Sequence, residues 1–136
     1  MLIHKTEVRV RYADTDQMKF VYNGKYFEYF EVGRSEMMRE IGLTYHAIEE
    51  NGFHMPVMEA KIEFKSAAFY DEVLVIQSEV RELPRLKVHI DHKIFSKDRD
   101  VLIVEGYIEL AFMRADTRKL TRPPQFFLEA IKNYYE

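Results

Sequence analysis

The spacing of apolar residues near the start of the chain is that of a strand. From Lys5 to Tyr12, the apolar side chains Val8, Val10 and Tyr12 alternate with charged ones. A period of two is typical of a β-strand with one buried face. We expect this strand to end near Asp14.

The period changes after Asn23-Gly24, where apolar residues recur every three or four positions. This spacing predicts a long helix with one apolar stripe. Asn23 is suited to cap its first turn, and Gly42 is suited to end it in the left-handed conformation. The stripe contains Tyr26, Phe27, Phe30, Arg34, Met37, Met38 and Ile41.

The remaining chain is predicted to be a short helix, several strands and a last helix. The short helix covers Tyr45 to Glu50 and follows Thr44, which is a good cap. Alternation and turn residues then indicate four strands. They are Met58 to Phe64, "VLVIQSEV", "LKVHIDHKIF", and Val101 to about Met113. A C-terminal helix follows Pro123-Pro124, with Phe127, Ala130, Ile131 and Tyr134 on one side.

This order of elements favours an α+β fold. Strands joined by short turns form antiparallel sheets, and the apolar stripe of the long helix must be buried against such a sheet. No internal repeat, low-complexity tract or linker divides the sequence, so we expect a single domain over residues 1–136.

Composition narrows the classes of function. With a net charge of −3 and a pI near 6.0, the sequence lacks the excess of lysine and arginine that is typical of nucleic-acid-binding proteins. The absence of cysteine excludes disulfides and thiolate chemistry. The N-terminus "MLIHKTEVRV" has neither the pattern of a signal peptide nor that of a membrane span. We therefore expect a cytoplasmic protein.

Two carboxylates, Asp14 and Asp16, stand between the first strand and the long helix. One interpretation is that both are ordinary turn residues. Another is that their negative charges stabilise the N-terminus of the helix. Two carboxylates are too few for a metal cage. A catalytic carboxylate is a third possibility, because free amides at a helix start can stabilise an oxyanion opposite it. Spacing alone does not decide which aspartate faces such a site.

The stretch "RYADTDQMKFVYNGKYFEYFEVGR" resembles the signature of hotdog-fold acyl-CoA thioesterases of the 4-hydroxybenzoyl-CoA thioesterase type. The resemblance includes the branch associated with the Tol-Pal operon, and it continues through "REIGLTYHAIEENGFHMPVMEAKIEFKSAAFYDEV". It implies an antiparallel sheet wrapped around a long central helix. It also implies homodimers, often paired into homotetramers, with active sites at the subunit interface.

The resemblance also implies roles for individual residues. Asp16 matches the catalytic carboxylate, as nucleophile or general base, and the backbone N–H of Asn23 matches the oxyanion donor. Tyr26 matches an aromatic residue near the acyl pocket, and Asp14 would support the loop. This chain departs from many relatives at Lys19, where they have glycine, and at Asn23, where many members of the operon-associated branch have histidine.

Four other side chains, Met58, Lys65, Arg85 and Lys87, are candidates for contact with the substrate. Met58 is suited to line an acyl pocket. Lys65 and Arg85, with Lys87 close to Arg85, are suited to the phosphates of coenzyme A. The spacing of Glu31 and Arg34, i and i+3, is compatible with no more than an ion pair on the helix surface.

The expected reaction is hydrolysis of an acyl-CoA to a carboxylic acid and free coenzyme, with no metal or redox cofactor. Two alternatives stay open: a thioesterase that acts on acyl carrier protein, and a hotdog protein that binds acyl-CoA without turnover. The histidines give no metal site, because His89 and His92 are predicted to point to opposite faces of a strand.

Overall fold

The computed structural model describes residues 1–136 and contains three α-helices and eight strands. The helices are α1 (Lys25–Glu40), α2 (Tyr45–Glu50) and α3 (Gln125–Ile131). The strands are β1 (Leu2–Arg9), β2 (Phe53–His54), β3 (Val57–Phe64), β4 (Val73–Val80), β5 (Val88–Ser96), β6 (Leu102–Leu110), β7 (Phe112–Arg114) and β8 (Leu120–Thr121).

Five strands form one antiparallel sheet in the order β1-β4-β5-β6-β3, and α1 packs against it. Phe30 and Met37 of α1 are almost completely buried. The helix comes very close to β4 at Gly33, where an added Cβ would lie 2.6 Å from a side-chain carbon of Ile76. The predicted α+β fold, with a central helix wrapped by an antiparallel sheet, is confirmed.

The predicted helix ends are partly confirmed. Gly42 has a φ of +78° and ends α1 in the left-handed conformation. Thr44 caps α2 by accepting a hydrogen bond from the Ala47 amide at 3.2 Å. The prediction for Asn23 is wrong: α1 begins at Lys25, Gly24 holds the cap position, and no side chain caps the helix. The N-terminal amides of α1 therefore have no side-chain acceptor.

The strand predictions need three corrections. β1 covers residues 2–9, so it starts and ends earlier than expected. The strand predicted from Val101 to Met113 is divided at Ala111 into β6 and β7. β7 then joins β2 and β8 in a second, three-stranded sheet that was not predicted. β2 and β8 have two residues each, too few to show a period.

β3 is an edge strand with little burial. Only Ile62 is partly buried, and the other seven residues are exposed. Met58, the candidate for the acyl pocket, is 45% exposed and lies at an irregularity in the pairing with β6. One long side of this strand is left without a partner in the single chain.

Two further predictions concern side chains of the helices. Phe127 and Ile131 of α3 are buried as expected. The predicted surface ion pair of Arg34 with Glu31 is wrong, since Arg34 is only 8% exposed and forms no ion pair. None of the three helices has the length and apolarity needed to cross a membrane.

Candidate functional site

The loop between β1 and α1 is built around the buried carboxylate of Asp14. Its Oδ2 accepts hydrogen bonds from the Arg11 amide at 3.0 Å and from the Tyr29 hydroxyl at 2.8 Å. Its Oδ1 accepts one from the Arg11 guanidinium at 3.0 Å and lies 3.6 Å from Nζ of Lys25. Both carboxylate oxygens are thus occupied by groups from the loop and from the first two turns of α1.

These donors keep Asp14 ionised. Burial alone disfavours the charge, but the hydrogen bonds from the Arg11 amide, Tyr29 and the Arg11 guanidinium lower the pKa of Asp14 below its usual value. Burial and the neighbouring Asp14 raise the pKa of Tyr29, so the phenol remains a donor. Asp14 is therefore a structural anion with no free oxygen for a substrate.

Asp16 has a different environment. One carboxylate oxygen, Oδ1, accepts a hydrogen bond from the Met18 amide at 2.8 Å, and Oδ2 has no hydrogen-bond partner in the chain. The backbone amide of Asp16 donates to the Phe20 carbonyl at 3.1 Å. The structure thus distinguishes the two aspartates where spacing did not: Asp16 is the one with a free carboxylate oxygen.

The loop that carries Asp16 is a tight turn with a left-handed residue. The Lys19 amide donates to the Asp16 carbonyl at 3.0 Å, and Lys19 has a φ of +71°. Thr15 and Val21 pair across the base of the turn. The left-handed conformation, which glycine adopts without strain, is therefore present here with lysine.

The start of α1 offers free backbone donors. The amides of Asn23 and Gly24 donate no hydrogen bond within the chain, whereas the next two amides are occupied by the carbonyls of Tyr22 and Asn23. Unpaired N–H groups at a helix N-terminus attract negative charge. Asn23 borders a cleft of about 290 Å³. The other residues that line it are Phe20, Val21, Tyr26, Phe64, Lys65, Ser66 and Ala67.

Two of the predicted substrate-binding residues share this cleft. Tyr26 is buried and packs edge-to-face against Phe64 at a ring-centroid distance of 5.8 Å. Burial raises the pKa of Tyr26 to about 12, so its hydroxyl is neutral near pH 7. Lys65 pairs with Glu63 at 3.2 Å and with Glu105 at 3.9 Å.

The other predicted residues lie elsewhere in the single chain. Asp16 lines a different cleft, together with Tyr12 and Lys19. Arg85 and Lys87 lie at the β4–β5 connection, in a separate cleft of about 540 Å³. Met58 lines none of these three clefts. The chain therefore brings Asn23, Tyr26 and Lys65 together, but not the whole predicted set.

Sequence reasoning missed Tyr29 and Lys25, which anchor Asp14. Tyr29 donates to Asp14 across fifteen positions of sequence, and no local spacing rule connects residues so far apart. The only sequence signal was the excess of tyrosine and charge at the start of the helix. The contact itself depends on how the loop folds back over α1.

A long central helix packed on a five-stranded antiparallel sheet, with two aspartates in the loop ahead of the helix, defines the hotdog class of fold. Residues 10–131 match the family model described as the thioesterase-like superfamily, and the chain belongs to this superfamily. The resemblance to hotdog thioesterases of the 4-hydroxybenzoyl-CoA type is thereby confirmed.

Individual relatives agree with this assignment. The chain is 32% identical over 96 residues to a putative acyl-CoA thioesterase, YneP, of Bacillus subtilis, covering 71% of this chain and 70% of that protein. It is 31% identical over 88 residues to the acyl-CoA thioesterase YbgC of Haemophilus influenzae, covering 64% and 65% of the two chains. The solved structure of a DHNA-CoA thioesterase from Staphylococcus aureus superimposes with a TM-score of 0.87 at 29% identity, covering 100% and 97% of the two chains.

Proposed function

We propose that this protein hydrolyses an acyl-CoA thioester to a carboxylic acid and free coenzyme A, with Asp16 as the catalytic carboxylate. The observation that carries the proposal is that the connection between β1 and α1 holds both a free carboxylate oxygen, on Asp16, and free amides, at Asn23 and Gly24. Relatives that are named as acyl-CoA thioesterases, YneP and YbgC among them, support the same class of substrate.

The amide of Asn23 binds the thioester oxygen in this mechanism. As the carbonyl carbon becomes tetrahedral, negative charge develops on that oxygen, where a fixed N–H donor and the positive end of α1 stabilise it. The change from histidine to Asn23 leaves this backbone donor in place. The neighbouring Gly24 amide supplies a second donor for the same oxygen.

Asp16 supplies the attacking group in one of two ways. As general base, it takes a proton from water, and the resulting hydroxide attacks the carbonyl carbon. As nucleophile, its carboxylate attacks that carbon and forms an anhydride, which water then hydrolyses. In both routes the C–S bond breaks, and the thiolate of coenzyme A leaves and is protonated.

We propose that a second copy of the chain completes the site, as a homodimer or homotetramer. In one chain the predicted residues are divided among separate clefts. β3 is an exposed edge with apolar side chains at Val57, Met58 and Phe64. An exposed edge strand offers unpaired backbone groups for pairing with another strand. Pairing of two β3 strands brings residues of both chains to the clefts beside Phe64.

The remaining substrate contacts follow from position and charge. Tyr26 packs beside the acyl group, and Lys65 at the rim of the same cleft meets a phosphate or pantetheine oxygen. In a single chain, Arg85 and Met58 lie away from the cleft that contains Asn23. We assign Arg85 to binding of the coenzyme A phosphates, and Met58 to the acyl pocket, in the assembled oligomer. We propose the cytoplasm as the place where the protein acts.

The test is release of free thiol from short, long and aromatic acyl-CoAs by wild type, Asp16→Asn and Asp98→Asn. We expect Asp16→Asn to lose roughly 100-fold or more in kcat, the range for a general base. The amide can still accept the Met18 hydrogen bond, so its melting temperature should match wild type. Asp98→Asn, an exposed loop change, should retain full activity.

Two results would refute the mechanism: an Asp16→Asn protein as active as wild type, or a folded wild type that binds acyl-CoA without cleaving it. The second result would favour a binding protein. If acyl groups are cleaved only when acyl carrier protein carries them, the substrate is the acyl carrier protein thioester and not acyl-CoA.

A further inference from the structure

The buried polar side-chain atoms that lack a hydrogen-bond partner are all found in one place in the fold. They are Nε and Nη1 of Arg34, the hydroxyl of Tyr45 and Nε2 of His92. Buried polar groups are paired in the great majority of cases, and an isolated one destabilises the fold. Four such atoms in three residues therefore need an explanation.

Three packed elements contribute to this cluster. Arg34 lies in the middle of α1, Tyr45 is the first residue of α2, and His92 lies on β5 facing the helix. Nδ1 of His92 is 2.9 Å from the hydroxyl oxygen of Ser78 on the adjacent strand. Phe30, one turn before Arg34, stacks on the His92 ring at a centroid distance of 4.5 Å.

The positive charge of Arg34 affects the pKa of both His92 and Tyr45. Burial, together with the guanidinium of Arg34, lowers the pKa of His92 to about 3. Burial raises the pKa of Tyr45, and the same guanidinium opposes that rise. Near pH 7, His92 and Tyr45 are therefore both neutral, and neither can balance the charge of Arg34.

No carboxylate in the chain neutralises Arg34. Arg34 is 8% exposed, its Nε and Nη1 have no hydrogen-bond partner, and it forms no ion pair. Glu31, one turn earlier on α1, is exposed and pairs with no cation. An unpaired cation with so little solvent is costly, and buried charges are ordinarily paired.

We propose that Arg34, Tyr45 and His92 form an internal binding site for a small monovalent anion such as chloride. The Nε–H and Nη1–H of Arg34 and the hydroxyl of Tyr45 donate to the anion. The hydroxyl of Ser78 donates to Nδ1 of His92, which leaves the hydrogen on Nε2, and this N–H also donates to the anion. The small remaining exposure of Arg34 marks the side from which the ion enters.

The site is separate from the proposed catalytic residues, so its test does not depend on thioesterase activity. The first experiment is a crystal structure of the full chain grown in sodium bromide. We expect an anomalous bromide peak within hydrogen-bonding distance of Arg34 and His92. A water molecule or a side-chain carboxylate at this position, with no bromide peak, would overturn the proposal.

The second experiment compares melting temperatures in sodium chloride and in sodium gluconate of equal ionic strength. Wild type should melt several degrees higher in chloride. Arg34→Met, which removes the charge, should show no such difference, and Tyr45→Phe should show a smaller one. Arg39→Met is the matched control, because Arg39 is an exposed arginine of the same helix. It should respond to chloride like wild type.

Equal chloride responses in wild type, Arg34→Met and Tyr45→Phe would contradict an anion bound at this cluster. Should Arg34→Met fail to fold, Tyr45→Phe still decides the matter, since loss of one hydroxyl leaves the ring packing intact.

Discussion

The hydroxyl of Tyr29 donates a 2.8 Å hydrogen bond to the buried carboxylate of Asp14. This contact joins the second turn of α1 to the loop that carries Asp16, two residues further along. The Tyr22 amide also donates to the Asp14 carbonyl, at 2.9 Å. Asp14 thus holds the loop against the start of the helix and sets where Asp16 lies relative to the free amides.

The first prediction concerns this contact. Tyr29→Phe leaves Asp14 with one donor fewer, and loss of one buried hydrogen-bond partner costs about 1–3 kcal/mol of unfolding free energy. We expect kcat to fall as well, because the Asp16 loop is less firmly held. Urea denaturation and thiol release measure the two effects. Tyr134→Phe, at a tyrosine that is 40% exposed, should change neither.

The second prediction concerns the strained turn at Lys19. A non-glycine residue in the left-handed region costs roughly 1 kcal/mol, more if it is β-branched. Lys19→Val should therefore lower the unfolding free energy relative to Lys19→Gly, as measured by urea denaturation. If the two variants are equally stable, the φ of +71° is not a property of the folded loop.

The third prediction is a pH dependence at His89. The imidazole lies 2.9 Å from Glu109 and 3.2 Å from Asp91. Partial burial opposes its charge, but these two carboxylates outweigh burial and raise the pKa of His89. A raised folded-state pKa stabilises the fold below the unfolded pKa, and this stabilisation is lost as the pH rises through the folded value.

His89→Gln should therefore be less stable than wild type at about pH 5 and equally stable at about pH 9, where His89 is neutral in both states. The difference should be below about 1 kcal/mol, because the side chain is 43% exposed and solvent screens the charge. Urea denaturation at the two pH values measures it. If His89→Gln loses more stability at about pH 9 than at about pH 5, the predicted direction of the pH dependence is wrong.

The fourth prediction tests pairing of two β3 strands. Ala60 lies in the middle of this exposed edge strand. In a symmetric antiparallel pair, Ala60→Glu places like charges close together and disfavours association. We expect its dimer to dissociate at higher protein concentration than that of wild type in analytical ultracentrifugation. Thr117→Glu, at an exposed turn, should associate normally.

Local sequence patterns were enough for the main elements of the fold. The left-handed Gly42, the Thr44 cap and the alternation in β4 and β5 each depend on neighbours within a few residues. The same locality explains the errors. Asn23 has the chemistry of a cap, but the preceding turn starts α1 at Lys25 instead.

The candidate site could be predicted only in part. The resemblance identified Asp16 and Asn23, and the helix start explains why a backbone amide there is useful. The sequence did not show that Asp14 is saturated by donors, because one of these donors, Tyr29, is distant along the chain. Nor did it show that Arg85 and Asn23 line different clefts.

The sequence by itself determined the periods, turns and helix ends, because these arise from interactions between residues close along the chain. Tertiary structure alone decided which aspartate is free, why Arg34 is buried without a counter-ion, and which strand is left at an edge. Burial and charge pairing depend on side chains that come into contact only when distant segments pack together. Local sequence patterns therefore cannot predict these contacts.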